Sequence, residues 1–355
     1  MSVQKVVVVG GGIVGCMTAM ELVKSGCQVT IVERNQIASQ TSGEASWAGG
    51  GILSALLPWM YLDQVNQLAL KGASLYPQVC QQLFDETSID PEYTRSGMLL
   101  KPSFDYEAAV HWCKKFNVPM EVIGDDILLP TVAQVRNPRM MRALKQWLIQ
   151  HQVKIIEQTQ LAPLVEADLE QAGVVKSWQT TTGEKIEADA FVVTSGAWSF
   201  ELLKQTTQTL KIKPMRGQIL LYQLPPEQSV KNIIYQNGFY IVPRRDGHLI
   251  AGSTLEDVGF DTGVTETVKL ELKAKAEAVM PQLKNYPIIR HWSGLRPGTP
   301  DNLPSIGAHP TIKNLYLNTG HFRYGLTMAP ASAQMIVALM MGKTPLLDTS
   351  AYACV

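Results

Sequence analysis

The chain has 355 residues, 46% of them hydrophobic and 17% charged, with 31 acidic and 31 basic side chains. That length suggests two domains with room for a sizeable core, and the balanced charge lacks the basic bias expected of a nucleic-acid-binding protein. The five cysteines (Cys16, Cys27, Cys80, Cys113, Cys354) are scattered without CxxC spacing, which argues against a disulfide framework or a zinc site and for a reducing, cytoplasmic setting.

Val6–Val9 is a continuous β-branched run, suited to a strand buried on both faces of a parallel sheet. The apolar stretch Val6–Val14 superficially resembles the centre of a signal peptide, but its glycines and the polar, turn-rich stretch that follows speak against that reading. Gly10, Gly12 and Gly15 form a G-x-G-x-x-G turn. Met17, Ala19, Met20, Leu22 and Val23 then give the apolar face of a helix expected to stop at Ser25-Gly26. Val29–Val32 reads as a second strand that delivers Glu33 at its end. A small-residue loop over Gln40–Gly51 leads through apolar Ile52–Pro58 into a helix over Leu62–Phe84. Short strands are expected at Gly97–Lys101 and Ile127–Leu129, with a charged helix over Tyr106–Phe116 between them. A helix over Pro138–Gln150 precedes strand-like Val153–Glu157, Gly173–Thr180 and Ala190–Thr194. From Ile212 to Trp292 the pattern is antiparallel, with strands at Gln218–Gln223, Gly238–Pro243, His248–Ser253 and Ile288–Trp292 and one helix over Thr267–Val279. A strand at Leu315–Thr319 and a helix from Ala329 close the chain. The apolar stretch Met328–Met341 falls short of the roughly 20 residues that span a bilayer. This order predicts an α/β protein: a Rossmann-like nucleotide-binding domain (1–88, 138–213 and 294–355), interrupted by an α+β substrate domain on a mainly antiparallel sheet (89–137 and 214–293).

A G-x-G-x-x-G triplet gains meaning from context. Here it follows a buried-strand pattern, opens a helix, and is followed by an acid, Glu33, about 20 residues on. Gly10 permits the tight turn, Gly12 lets the backbone approach a pyrophosphate, and Gly15 lets the helix pack on the strand. The helix start then offers free N–H groups and a positive dipole end to phosphates. Glu33 can accept both hydrogen bonds of an adenosine ribose diol, and its charge disfavours the 2′-phosphate of NADP. The triplet does not itself separate NAD from FAD. Two further segments favour FAD. Gly49-Gly50-Gly51 suits backbone approach to a flat or charged group. Gly320-His321-Phe322-Arg323-Tyr324-Gly325 precedes an apolar helix, whose N–H groups can stabilise the negative charge of a reduced flavin. Read without a ligand, the triplet is a glycine-rich turn and Gly320–Gly325 an ordinary tight turn with a helix cap.

Val8-Val9-Gly10-Gly11-Gly12-Ile13-Val14-Gly15, Ala48–Leu53, Gly294-Leu295-Arg296-Pro297-Gly298-Thr299-Pro300-Asp301 and Gly320–Gly325 occur in that order. Together they resemble the D-amino-acid oxidase superfamily, and within it the glycine oxidases associated with thiamine biosynthesis. The resemblance implies non-covalent FAD, a small amino-acid substrate, O2 as electron acceptor, and a homo-oligomer. It implies that Arg296 anchors the substrate carboxylate, and the chemistry agrees, since a planar guanidinium grips a carboxylate through two parallel hydrogen bonds as lysine cannot. By the same resemblance Arg323 is a second substrate-side residue and Tyr240 a wall of the pocket. Ile13, Val14, Glu33, Arg34, Thr41, Ser42, Gly50, Gly51, Ile52, Leu161, His321, Phe322, Arg323, Tyr324, Gly325, Leu326 and Thr327 would contact FAD, several through backbone alone. Leu255 and Ile52 fall where some glycine oxidases carry pocket methionines, which leaves the pocket's width and the preference for glycine open. Related sarcosine oxidases attach flavin through a cysteine after the Arg-Pro segment, and this chain has no cysteine between Cys113 and Cys354.

The implied reaction is hydride transfer from the substrate Cα to flavin N5, with Arg296 orienting the Cα–H, followed by reoxidation by O2 to hydrogen peroxide. The imine product would hydrolyse or supply thiazole synthesis. No side chain is required as a base if the amine is already neutral; His291 and His321 are the nearest candidates. Three alternatives stay open on sequence: a D-amino-acid dehydrogenase passing electrons to a quinone, an NAD-linked dehydrogenase, and a non-catalytic binding module.

Overall fold

The computed structural model describes residues 4–41, 43–165, 169–170, 173–206 and 210–353. The strand Lys5–Val9 is apolar at every position but its first because both of its faces are covered. Val6 and Val8 join a core built with the helices Ile13–Lys24, Asp63–Thr87, Asn137–Gln150 and Gly325–Met340. Val7 and Val9 join another with Leu161, Trp178 and Phe191. This strand is central in a six-stranded sheet ordered Ser305–Ala308, Leu315–Thr319, Ala190–Val193, Lys5–Val9, Gln28–Val32, Lys154–Ile156. All its pairings are parallel except the outermost, between Ser305–Ala308 and Leu315–Thr319. The glycine turn therefore sits at the carboxyl end of a central parallel strand, where open α/β sheets place ligands.

A second sheet of eight strands runs Ile288–Gly298, Lys213–Gln223, His248–Gly252, Phe239–Pro243, Ile233–Gln236, Met98–Leu100, Asp126–Leu129, Glu121–Ile123. Its pairings are antiparallel except that of Ile233–Gln236 with Met98–Leu100. Residues alternate between its faces. Tyr240 and Val242 pack with Met98 and Trp112 on one side, and Ile241 packs with Leu249 and Leu272 on the other.

Two expectations change in the structure for a physical reason. The strands Lys213–Gln223 and Ile288–Gly298 reach 11 residues each, longer than the expected Gln218–Gln223 and Ile288–Trp292. Pro214, Gly217, Gly294 and Pro297 read as breakers in sequence, yet Pro214 faces Pro297 and Gly217 faces Gly294 in register. Ile288–Gly298 is an edge strand, where a missing N–H is tolerated. The closing helix starts at Gly325, not at Ala329, and runs through Pro330. Pro330 has no N–H for the Leu326 carbonyl four residues earlier. The fully buried Tyr76 hydroxyl donates to that carbonyl instead. Strands Ile233–Gln236, Ser305–Ala308, Lys185–Glu187 and Glu121–Ile123 lacked a clear signal in sequence. Among the described residues no helix is long and apolar enough to cross a membrane, and no group of three or more His, Cys, Asp or Glu is placed to hold a metal ion.

Tyr76→Phe keeps the ring and orphans the Leu326 carbonyl inside the helix. Leaving a buried acceptor unsatisfied costs about 1–3 kcal/mol, so urea unfolding should show a lowered midpoint with an unchanged slope. A midpoint equal to that of the parent would mean that the carbonyl has another partner.

Candidate functional site

The carboxyl ends of the parallel strands, the Glu44–Leu56 loop, the strand carrying Tyr240 and the start of the closing helix line one long cleft, about 1680 Å³ with the open solvent at its mouth included. At one end the strand Gln28–Val32 presents Glu33, which is buried. One of its oxygens accepts from Gly11 N–H at 2.6 Å and the other from Asn35 N–H at 2.8 Å. Each carboxylate oxygen retains acceptor capacity for a ligand hydroxyl. Next to it the Arg34 guanidinium lies 3.4 Å from the centroid of the Trp198 ring, and Trp198 stacks on Phe260 at 5.5 Å.

In the middle of the cleft the helix Ile13–Lys24 points its N-terminus at the opening. Ile13 N–H is held by the Ser46 hydroxyl at 2.9 Å, while the N–H groups of Gly12 and Val14 have no protein acceptor among the described residues. A Cβ on Gly15 would stand 1.9 Å from the Gly10 carbonyl oxygen, so this glycine permits the close approach of helix and turn. Gly10 has φ +110°, open to glycine alone at little cost. Opposite, Gly50, Gly51 and Ile52 face the His321–Leu326 segment. Three buried polar atoms of cleft-lining residues lack partners: His321 Nε2, Asn137 Oδ1 and Asn318 Oδ1. Burial pushes the His321 imidazole down to about 3, so it is neutral near pH 7.

The far end holds Tyr240, Ser253, Arg296 and Arg323. Arg296 Nη1 donates to the Thr254 carbonyl at 3.1 Å and Nη2 to the Ser253 hydroxyl at 2.7 Å. Its side chain crosses the backbone of Gly217, where a Cβ would be 2.1 Å from Nη1. Burial lowers its pKa. No carboxylate forms an ion pair with Arg296 among the described residues. A nearby acid, Glu256, is taken by Arg216 at 2.7 Å, by Gln218 at 3.1 Å and by the Thr254 hydroxyl. Arg216 and these hydrogen bonds outweigh desolvation and hold the Glu256 carboxyl below its ordinary value. One donor on each Nη is engaged by a protein oxygen, and the Arg296 fork keeps others for a ligand.

Of the residues singled out in the sequence, Gly10, Gly12, Ile13, Val14, Glu33, Arg34, Gly50, Gly51, Ile52, Leu161, Tyr240, Arg296, His321, Phe322, Arg323, Tyr324, Gly325 and Leu326 line the cleft. Gly15 and Thr327 stand behind its wall; the Thr327 hydroxyl donates to the Ile52 carbonyl at 3.1 Å. Thr41 is exposed and does not line the cleft, and Ser42 lies outside the described residues. Leu255 also lies outside the cleft and is 42% exposed. The strand His248–Gly252 ends three residues before it, and the chain turns so that Ser253 and the Thr254 carbonyl meet Arg296 instead. Arg323 lies exposed along the cleft. His291 does not line it. Ser46, Asn137, Thr159, Gln160, Ser195, Trp198 and Ser253 line the cleft without having been singled out.

A family model described as FAD dependent oxidoreductase, abbreviated DAO, matches residues 5–339. A glycine oxidase of Pseudomonas aeruginosa is 38% identical, covering 99% of this chain and 98% of that protein. A bifunctional ThiO/ThiG protein of Trichormus variabilis is 32% identical over 98% of this chain, which spans 54% of its length. The crystal structure of glycine oxidase from Geobacillus kaustophilus superposes with a TM-score of 0.87 over 99% of both chains at 24% identity. The orphaned His321, Asn137 and Asn318 atoms, the open helix N-terminus and the Cβ-free turns fit an FAD laid along the cleft.

Gly217→Ala places a methyl where the Arg296 guanidinium now lies, in an unstrained strand backbone. A displacement on the order of 1 Å costs up to about 100-fold at a site of this kind. Titration of the flavin spectrum with a small carboxylate should show binding weakened about tenfold or more at an almost unchanged unfolding midpoint. Unaltered carboxylate affinity would show that the guanidinium position does not set binding.

Proposed function

The chain belongs to the DAO family of FAD-dependent oxidoreductases, and on that premise we propose that it oxidises glycine or another small amine or D-amino acid and releases the imine. The single observation that carries this reading is Arg296, a cleft-facing guanidinium held among the described residues only by neutral oxygens and left with donors to spare. A cation kept without a carboxylate fits a substrate that brings one. Arg296 would take the substrate carboxylate in a bidentate grip, Tyr240 would close one side, and the Cα–H would be turned toward the Gly50–Ile52 wall. When bound, FAD supplies the two-electron acceptor that takes the hydride and passes the electrons to O2 as hydrogen peroxide. The protein's own contribution is orientation and exclusion of water. The likeness to ThiO/ThiG proteins supports delivery of the imine to thiazole synthesis. The division into an FAD domain (1–88, 138–213, 294–355) and a substrate domain (89–137, 214–293) belongs to the same proposal.

Anaerobic mixing of the yellow protein with glycine, sarcosine, D-alanine and D-proline tests the reading. Bleaching by glycine, reversed by air with release of peroxide, is the expected result. Bleaching by the larger D-amino acids alone would move the substrate class, and reoxidation by a quinone but not by air would make the protein a dehydrogenase. Arg296→Ala should remove about 3–5 kcal/mol if the carboxylate pair is desolvated, or two to four decades of kcat/KM at about 1.4 kcal/mol per decade. A loss below tenfold would sink the assignment.

Because His321 is already neutral near pH 7, the acidic limb of kcat/KM should belong to the substrate. Below the ammonium pKa the reactive neutral amine falls tenfold per pH unit, so the limb should move when glycine is exchanged for an amine of different pKa. A limb between about pH 5 and 7 that stays fixed for all substrates would assign a protein base.

A further inference from the structure

Arg244 follows the strand Phe239–Pro243 and is buried, with no carboxylate paired to it among the described residues. Nη1 donates to Gln134 Oε1 at 2.6 Å and to the Val135 carbonyl at 2.9 Å, and Nη2 donates to the Gly50 carbonyl at 3.0 Å. The guanidinium does not line the cleft; it stands directly behind the glycine loop that does. A Cβ on Gly51 would lie 2.9 Å from Nη2 and 2.1 Å from the Val135 carbonyl oxygen. The loop is thus pressed against the arginine as closely as a backbone without side chains allows.

The Gly50–Gly51 peptide is trans, so its C=O and N–H point in opposite directions. Its carbonyl is drawn back to Arg244, which turns the Gly51 N–H to the cleft side. The N–H groups of Gly50, Gly51 and Ile52 have no protein acceptor among the described residues.

We propose that Arg244 is a positioning residue for the flavin: it fixes the Gly50–Gly51 peptide with its N–H toward the isoalloxazine ring and sets a positive charge behind it, which favours the reduced, anionic form of the cofactor. The inference rests on the placement of the ring against Gly50–Ile52. Burial, followed by the charge of Arg136, lowers the Arg244 pKa to about 10, and the side chain stays charged at neutral pH. Glu92 and Asp246 are bound by Arg136 at 3.2 and 2.7 Å, so neither forms an ion pair with Arg244. In a water-poor wall the guanidinium acts on the ring through little screening.

The test compares FAD-loaded parent protein with Arg244→Gln, Arg244→Lys and Gln134→Glu. The two-electron reduction equilibrium is measured by dithionite titration against a reference dye, with no amine substrate present. Arg244→Gln keeps a donor near the Gly50 carbonyl and removes the charge; the equilibrium should move about tenfold against reduction, which is about 30 mV for a two-electron couple. Arg244→Lys restores the charge and should stay within threefold of the parent. Gln134→Glu leaves Arg244 in place and sets a carboxylate where the amide oxygen now stands 2.6 Å from Nη1. It should reproduce the loss, and it decides the matter alone if Arg244→Gln does not fold. A merely structural arginine would alter FAD content or unfolding midpoint in these variants without moving the equilibrium. A change below threefold in both Arg244→Gln and Gln134→Glu overturns the proposal, as does a lysine variant as shifted as the glutamine one. Failure of the amine-oxidation reading would appear separately, as a parent flavin that dithionite reduces and no amine does.

Discussion

A guanidinium facing a cleft with no carboxylate beside it is the constraint on which the second half of the molecule is organised. A desolvated charge is costly unless hydrogen bonded, and a carboxylate partner would occupy the donors that a ligand needs. The chain meets both demands with neutral oxygens. The Ser253 hydroxyl and the Thr254 carbonyl hold Arg296. The acid close enough to compete, Glu256, is bound by Arg216, Gln218 and Thr254. Arg216 therefore serves the site by occupying an acid. The two long antiparallel strands exist in this form for the same reason, since Gly217 clears the path that the guanidinium crosses.

The first half of the molecule solves a complementary problem, which is to bring backbone close to a large group. The turn beginning at Gly10 and the loop at Gly49–Gly51 both line one cleft. In each, donors are left free while the neighbouring carbonyls are engaged inside the protein. The Gly10 carbonyl accepts from the Thr194 hydroxyl at 2.9 Å. The Gly50 and Gly51 carbonyls are taken by Arg244 and by Val135 N–H. Fixing the acceptors inward turns the donors outward, where the negative groups of a cofactor can use them.

How much of this could be read in the residues depended on whether a function was written locally. The glycine triplet with Glu33, the Gly49–Gly51 run, Arg296 and the His321–Leu326 segment each combine a residue type with a spacing that carries its own chemistry, and all of them but Gly15 line the cleft. Ser46, Asn137, Gln160 and Ser253 reach it through pairings between distant segments, for which no local signal exists. Ser195-Gly196 is the exception that had one, since it follows a buried strand at the carboxyl end where such sheets bind ligands. Leu255 shows the converse failure. The resemblance places it in the pocket, at a position where some glycine oxidases carry a methionine, but the strand ends at Gly252 and the turn carries it outside the cleft. The prolines misled in a related way. Pro330 marks a helix boundary by its own chemistry, and only Tyr76, far along the chain and packed beneath the helix, makes it an interior residue.

Charge along the cleft is sorted by end. Its lining carboxylates are Glu33, Glu44 and Glu201. Glu44 lies 3.9 Å from Arg34, and Glu201 belongs to the short helix that follows Trp198, the ring on which Arg34 rests. No aspartate or lysine joins the described lining, and the opposite end carries Arg296 and Arg323 with a neutral imidazole nearby. An amino acid bound there would meet two guanidinium groups and no acid. That field favours its carboxylate and disfavours its ammonium, more from the half-buried Arg296 than from the exposed Arg323, whose charge water screens. The site would then lower the pKa of the bound amine rather than remove its proton with a dedicated base. Under the proposed function, the lack of a lining acid at that end would serve two tasks, leaving the carboxylate grip open and biasing the amine toward the neutral form whose Cα can release a hydride.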